Sequence, residues 1–108
     1  MKDNVVKDKS LEFAVRIVNL YKFLVNEQKE FVMSKQILRS GTSIGANIRE
    51  AEQAQSRADF INKLNIALKE ANETEYWLEL LIRTEYITRE QYESCLLYTS
   101  PSPRDGAT

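Results

Sequence analysis

The sequence predicts an all-α fold, an antiparallel up-down helical bundle of the four-helix type with its fourth helix truncated. Three long segments place apolar residues at alternating steps of three and four, which gathers them on one face of a helix. No segment shows the regular alternation of apolar and polar residues that is typical of a half-buried strand. Helices with one apolar face bury it by packing side by side, as they do in bundles. One helical domain is therefore predicted over residues 1–94.

The first two helices are predicted over about residues 5–27 and 31–54. The apolar stripe of the first consists of Leu11, Ala14, Val18, Tyr21 and Val25. The stripe of the second consists of Ile37, Gly41, Ile44, Ile48 and Ala51. Gly41 and Gly45 each cost about 1 kcal/mol relative to alanine inside a helix, so we expect another helix to approach closely there.

The third helix is predicted over about residues 57–84, and the fourth over 89–94 and onward. Ser56 and Asp59 have the spacing of a capping box, and Thr88 and Gln91 repeat it before the fourth helix. The third apolar stripe consists of Phe60, Leu64, Ala67, Ala71, Thr74, Leu78 and Leu81.

Residues 95–108 are predicted to be a non-native or disordered tail. The amphipathic pattern ends after Ser94, and both prolines, Pro101 and Pro103, follow within nine residues. The run Cys95–Asp105 also resembles the translation of a sequencing-library adapter, which suggests that the natural end of the fourth helix is missing. A genuine Ser/Pro-rich flexible tail is the alternative.

The composition excludes several classes of protein. The 108 residues contain no His and one Cys, so the commonest general base, the commonest metal ligand and an internal disulfide are absent. No nucleophile–base pair can be assembled from such a set, and we expect neither an enzyme nor a cofactor, a metal or a small-molecule substrate. The N-terminus lacks an apolar signal region, and no apolar run is long enough for a membrane span. A cytoplasmic protein without membrane contact is expected.

The charge is unevenly distributed along the chain. Residues 1–49 carry nine basic and five acidic groups, whereas residues 50–94 carry five basic and ten acidic groups. The two halves could pair helices within one chain, or they could attract a second copy head to tail. A carboxylate-rich face on the third helix, with Glu73, Glu75 and Glu79, is expected to be solvated or paired with Lys and Arg.

A polar ribbon runs beside the apolar stripe of the second helix. Ser40, Ser43, Asn47 and Glu50 recur at steps of three and four, and they form either a buried hydrogen-bond network or a ligand or partner site. Among the basic residues of the first half, Lys35, Arg39 and Arg49 are the candidate contacts to nucleic acid or a partner.

Three runs resemble one family closely: Gln36–Ala51, Phe60–Ala71 and Glu73–Leu78. It is the bacterial family of four-helix-bundle proteins encoded in intervening sequences of 23S ribosomal RNA genes, related to accessory proteins of diversity-generating retroelements. The resemblance implies an up-down four-helix bundle that assembles as a ring-like homopentamer. It also implies a family polar network of Ser43, Asn47, Glu50 and Glu73, with Gly45 standing where many relatives carry proline.

The function expected is that of a non-enzymatic, self-associating bundle that binds RNA or DNA as an oligomer. The alternative is a structural protein–protein adaptor without nucleic-acid binding.

Overall fold

The fold was obtained as a computed structural model, which describes residues 2–99 and the side chains of residues 5–96. It consists of four helices, α1 (Lys2–Asn26), α2 (Met33–Glu52), α3 (Arg57–Arg83) and α4 (Arg89–Thr99). The described residues contain no strand. The predicted all-α class is confirmed.

The helices pack in the order in which they follow along the chain. α1 packs on α2, α2 on α3, and α3 on α4, and α4 returns to contact α1. Within the described part of the chain, the diagonal pairs α1/α3 and α2/α4 do not approach each other closely. The arrangement is therefore an up-down bundle. With 11 residues, α4 is about 16 Å long and covers less than half of α3, which has 27 residues.

The hydrophobic core lies at the end of the bundle that holds the α1–α2 and α3–α4 loops. It combines the C-terminal half of α1, the start of α2, the C-terminal half of α3, and α4. Its buried members are Phe13, Ile17, Leu20, Leu24, Ile37, Leu78, Leu81, Ile87 and Cys95. The opposite end of the bundle is less covered, because α4 does not extend that far.

α2 begins two residues later than the sequence predicted. The side chain of Glu30, which is 7% exposed, turns back onto the start of the helix. Its carboxylate accepts hydrogen bonds from the backbone N–H groups of Val32, Met33 and Ser34 at 2.7–3.2 Å. Because this carboxylate satisfies amides that no helical carbonyl can reach, the helix begins at Met33 and residues 27–32 form a loop.

Both predicted helix caps are confirmed. The Ser56 hydroxyl accepts from the backbone N–H of Asp59 at 3.1 Å. Before α4, the Thr88 hydroxyl accepts from the Gln91 N–H at 3.1 Å, while the Gln91 side chain accepts from the Thr88 N–H at 2.8 Å. The second arrangement is a reciprocal capping box, which fixes where α4 begins.

α4 continues past the predicted domain end at residue 94. It runs to Thr99, and Cys95 is only 2% exposed within the core. The helix extends this far because the first proline is Pro101 and because the small apolar side chain of Cys95 fits the core position one turn after Gln91. Residues 100–108, which make up the rest of the predicted tail, lie outside the described residues.

Candidate functional site

The contact between α1 and α2 is built on Gly41. A Cβ atom at this position would lie 2.8 Å from Ile17 Cγ1 and 2.9 Å from Ile17 Cγ2. Gly45 is less crowded, since a Cβ there would lie 3.2 Å from the Ser10 hydroxyl oxygen. The close approach expected at both glycines is therefore tight at Gly41 and looser at Gly45.

The contact between α2 and α3 contains a buried pair of hydroxyls. Ser40 and Thr74 are both 0% exposed. The Thr74 hydroxyl lies 2.9 Å from the Ser40 hydroxyl and 2.8 Å from the Glu70 carbonyl oxygen of its own helix. A slip between α2 and α3 would break this contact and leave each hydroxyl only a carbonyl of its own helix, so the buried pair favours the observed register.

An ion-pair cluster lies at the edge of the same interface. The Arg39 guanidinium contacts the carboxylate of Glu73 at 2.7 Å and that of Glu70 at 3.5 Å. The Trp77 indole N–H donates to the same Glu73 oxygen at 3.0 Å. Arg39 of α2 is thereby held against one turn of α3.

The electrostatics of this cluster disfavour acid–base chemistry. Hydrogen bonds from Trp77 and Arg39 lower the pKa of Glu73, and the positive charge of Arg39 lowers it further. The hydrogen bond to Glu73, followed by the negative charges of Glu73 and Glu70, raises the pKa of Arg39. Both shifts hold the groups in their charged forms, so Glu73 is suited to bind Arg39 and not to exchange protons near neutral pH.

No side chain of the predicted family polar network hydrogen-bonds to the side chain of another member in the structure. The Ser43 hydroxyl donates to the Arg39 carbonyl oxygen, and the Asn47 amide donates to the Ser43 carbonyl oxygen, both one turn back in α2. Such local bonds satisfy short polar side chains within their own helix. Glu50 pairs with Lys63 of α3 at 3.0 Å, whereas Glu73 belongs to the Arg39 cluster.

Much of the charge asymmetry is used within the chain. The ion pairs of Arg39 with Glu70 and Glu73, and that of Lys7 with Glu52 at 3.4 Å, join the basic first half to the acidic second half. These contacts support the intramolecular alternative for those residues. Each pair is at least partly exposed to solvent, so each contributes at most about 1 kcal/mol.

Several basic side chains take no part in this pairing. Lys35 and Arg49, two of the predicted contact residues, are exposed. Lys22 and Lys29 are exposed as well. No carboxylate of a described residue lies within 4 Å of any of these four side chains. Of the three predicted contacts, Arg39 is engaged by carboxylates, whereas Lys35 and Arg49 are available to a partner.

Exposed apolar side chains lie on the N-terminal halves of α1 and α3, at the end of the bundle away from the α1–α2 and α3–α4 loops, and are together called the apolar face. Val6 lies on the same side of α1 as buried Phe13, seven residues later. Phe60 lies on the same side of α3 as buried Ala67, also seven residues later. The Arg16 side chain of α1 contacts Ser94 of α4. Val5 lies three turns before Arg16, nearer the N-terminus of α1 than this contact with α4. The face consists of side chains that are each at least 38% exposed: Val5, Val6, Phe60, Ile61, Leu64 and Leu68. These residues lie beyond the part of the bundle that α4 covers.

The cleft between α1 and α4 offers little chemistry. Its volume is about 620 Å³, and its lining includes Leu20, Phe23 and Cys95. Burial raises the pKa of the Cys95 thiol to about 11, although the positive charge of Arg16 opposes the shift. A thiol that stays protonated is a weak nucleophile. Nowhere among the described residues do three His, Cys, Asp or Glu side chains converge as a metal site would require.

None of the helices in the described part of the chain has the length and hydrophobicity needed to cross a membrane.

The sequence matches the family profile described as "23S rRNA-intervening sequence protein" over residues 2–100. The chain belongs to this family. The same family is indicated by a similar solved structure, a member of the S23 ribosomal protein family from Bacteroides thetaiotaomicron VPI-5482. That chain is 94% identical over 93% of this chain and 89% of its own length, with a TM-score of 0.90. No curated protein matches the sequence.

Membership in the 23S rRNA-intervening sequence protein family confirms the resemblance that the three runs of sequence indicated. Those runs coincide with the helices that meet at the Ser40–Thr74 pair and the Arg39 cluster. Two features of this family member were not predicted, namely the Glu30 cap and the exposed pair Phe31 and Val32 in the α1–α2 loop. The signal in the sequence was the carboxylate of Glu30, three residues before Met33 and four before Ser34. The apolar residues Phe31 and Val32 instead favoured an earlier start of α2.

Proposed function

We propose that this member of the 23S rRNA-intervening sequence protein family is a non-enzymatic bundle that self-associates and binds nucleic acid when assembled. The observation that carries the proposal is the exposed apolar face on α1 and α3. Large apolar side chains exposed on two helices at the same end of a small protein are typical of an interaction site. The resemblance to the family favours five copies in a closed ring.

A second copy of the chain is the proposed occupant of the apolar face in this 108-residue protein, although a longer fourth helix would lie along the same halves of α1 and α3. Leu64 and Leu68 lie one turn apart on α3, where they can enter the groove of another helix by ordinary helix–helix packing. The face carries Lys9 and Asn65 near its edges, as subunit interfaces carry polar residues at their rims. Burial of these side chains would supply the association energy that the exposed ion pairs do not.

The test of self-association is the double variant Leu64→Glu/Leu68→Glu. If the 108-residue chain associates through this face, the double variant should be monomeric, because two carboxylates would have to be buried in the interface; a defined oligomer is expected of a chain whose fourth helix is complete. Size-exclusion chromatography with light scattering measures the mass of each. Val32→Ser, which removes an equally exposed apolar side chain from the α1–α2 loop, is the control and should assemble as the wild type does. A wild-type chain that is monomeric and folded at high concentration would reject self-association.

Nucleic-acid binding is supported by the basic side chains that lack carboxylate partners, Lys22, Lys29, Lys35 and Arg49. The chain has a formal net charge of −1, so no single copy presents a strongly basic surface. Assembly would repeat the same four cations in each copy and thereby multiply the phosphate contacts.

The affinity of the oligomer for RNA and DNA should fall as salt is raised, with a clearly negative slope of log affinity against log salt concentration. Fluorescence anisotropy with labelled oligonucleotides measures this slope. No binding at low salt, or a slope near zero, would instead favour the structural adaptor, whose partners are proteins only.

A further inference from the structure

The α1–α2 loop, residues 27–32, is held rigidly although it lies at the end of the bundle. The Glu30 carboxylate fixes its second half through three backbone amides. The Gln28 side chain donates to the Tyr86 carbonyl oxygen at 2.9 Å, which ties the first half to the α3–α4 loop. Phe31 and Val32 are nevertheless 53% and 72% exposed. The loop therefore presents an aromatic ring and an aliphatic side chain to solvent in a fixed position.

Three exposed lysines lie near this pair along the chain or at the same end of the bundle. Lys29 lies in the loop with a φ of 55°, and Lys35 follows Phe31 by four residues, in the first turn of α2. The contacts of Ile17 with Gly41 and of Ser10 with Gly45 set the register of α1 on α2. Extending this antiparallel register towards the loop places Lys22 of α1 level with Lys35 of α2. We name Lys22, Lys29, Phe31, Val32 and Lys35 the loop patch.

Two carboxylates lie close to the loop patch in sequence. Glu30 is buried, and the amides at the N-terminus of α2 compensate its charge. Glu27 is exposed and opposes the lysines. Between residues 22 and 35 the patch therefore has three exposed cations against one exposed anion, and Glu85, next to the Tyr86 that Gln28 contacts, is a second exposed carboxylate at this end of the bundle.

We infer that the loop patch binds single-stranded nucleic acid, with a base stacked on the Phe31 ring and phosphates contacting Lys22, Lys29 and Lys35. This inference rests on the nucleic-acid part of the proposed function and locates it on one surface. Stacking platforms flanked by cations are the usual means of binding single strands, because every base offers a flat face. A duplex does not offer its base faces to a side chain, and lysines are depleted in protein–protein interfaces.

The test compares a fluorescein-labelled oligo-dT of about 20 nucleotides with a DNA hairpin of the same length. The wild-type chain should bind the single strand more tightly than the hairpin. Phe31→Leu should weaken single-strand binding about tenfold, because leucine keeps an apolar side chain but removes the stacking surface, while Phe31→Trp should retain it. Tyr76→Leu, which removes an exposed ring from α3, is the matched control and should bind as the wild type does.

The lysines are tested by salt dependence. Lys29→Gln and Lys35→Gln should each reduce the steepness of log affinity against log salt by about 0.7, whereas Glu27→Gln should strengthen binding at low salt. The substituted side chains are exposed, and thermal unfolding followed by circular dichroism verifies that each variant folds.

The outcomes separate the inference from the proposed function. If the wild-type chain binds neither probe, both the loop-patch inference and the proposed nucleic-acid binding are rejected. A chain that binds nucleic acid equally well with Phe31→Leu, or binds hairpin and single strand alike, overturns the loop patch while nucleic-acid binding stands. If Phe31→Leu assembles differently from the wild type in light scattering and binds oligo-dT unchanged, the patch is a protein contact and the inference is overturned.

Discussion

Replacing Gly41 by valine is expected to destabilise the bundle by about 3 kcal/mol, whereas replacing Gly45 by alanine is expected to stabilise it by up to about 1 kcal/mol. Both residues lie inside α2 and face α1. The difference arises because a Cβ at position 41 would lie 2.8 Å from Cγ1 of Ile17, a side chain that is branched at Cβ, is 0% exposed and has no free space to move into. At position 45, the nearest atom is the Ser10 hydroxyl oxygen at 3.2 Å, which a small rotation displaces.

The gain at Gly45 follows from the backbone. Glycine inside a helix is less favourable than alanine by about 1 kcal/mol, because the unfolded chain loses more freedom when it folds. At Gly41 the same gain is available to alanine, but overpacking against Ile17 is expected to cost about 1–3 kcal/mol and to outweigh it. Gly41→Ala should therefore be mildly destabilising, between the other two variants.

Urea unfolding at one fixed protein concentration measures these differences, since any assembly would make the apparent stability depend on concentration. The double variant Ile17→Ala/Gly41→Ala tests the mechanism. Removing the Ile17 side chain should abolish the penalty of Gly41→Ala, which would appear as a coupling energy of at least about 0.5 kcal/mol. If substitutions at positions 41 and 45 changed the free energy of unfolding equally, the tight contact would not be specific to Gly41. A coupling energy near zero between positions 17 and 41 would contradict it as well.

The helical architecture could be predicted because its signals are local. The apolar stripe of α2 and the C-terminal part of that of α3 identify the faces that pack, and the side-chain caps at Ser56 and Thr88 mark two helix starts within one turn. In α1 the buried residues are Phe13, Ile17, Leu20 and Leu24 and not the five of the predicted stripe, of which Leu11 is 50% exposed. The close approach at Gly41 was also predictable, since glycine in the middle of an amphipathic helix indicates a neighbour at short distance. The difference between Gly41 and Gly45 was not, because it depends on which α1 residue lies opposite each one.

The candidate site was less predictable for the same reason. Ser40 was recognised in the polar ribbon and Thr74 in an apolar stripe, but their contact depends on the register between α2 and α3. Ser43 and Asn47 share the ribbon, yet each side chain donates to a backbone carbonyl one turn back in α2, Arg39 for Ser43 and Ser43 for Asn47, and not to another side chain of the ribbon. Arg39 was predicted as an exposed contact residue, whereas two carboxylates of α3 engage it.

Glu30→Ala is expected to destabilise the bundle by about 2–3 kcal/mol, the second large effect of a single substitution. The carboxylate is buried and accepts three backbone N–H groups, which would be left without an acceptor at the start of α2. A hydrogen bond to a charged group contributes about 1.5–3 kcal/mol, and an N-terminal cap contributes about 1 kcal/mol. Because the three hydrogen bonds share one side chain, their free-energy contributions are not independent. The total loss is therefore expected near the upper end of the range for one hydrogen bond to a charged group.

Glu30→Gln provides the graded comparison. Its amide has one oxygen and no charge, so it can replace part of the cap and should cost about half as much as alanine. Glu27→Gln, at the exposed carboxylate three residues earlier, is the control and should change stability by less than about 0.5 kcal/mol.

Urea unfolding measures the loss, and native-state hydrogen exchange locates it. The Met33 and Ser34 amides should exchange faster in Glu30→Ala than in the wild type, because the start of α2 opens locally. The exchange rate of the Asp59 amide at the start of α3 should rise no more than the loss of global stability requires. The same variant should weaken binding of oligo-dT, because Phe31 and Val32 would no longer be held in place between the cap and the Gln28–Tyr86 contact. A Glu30→Ala chain with the stability and exchange rates of Glu27→Gln would show that the α1–α2 loop does not depend on this carboxylate.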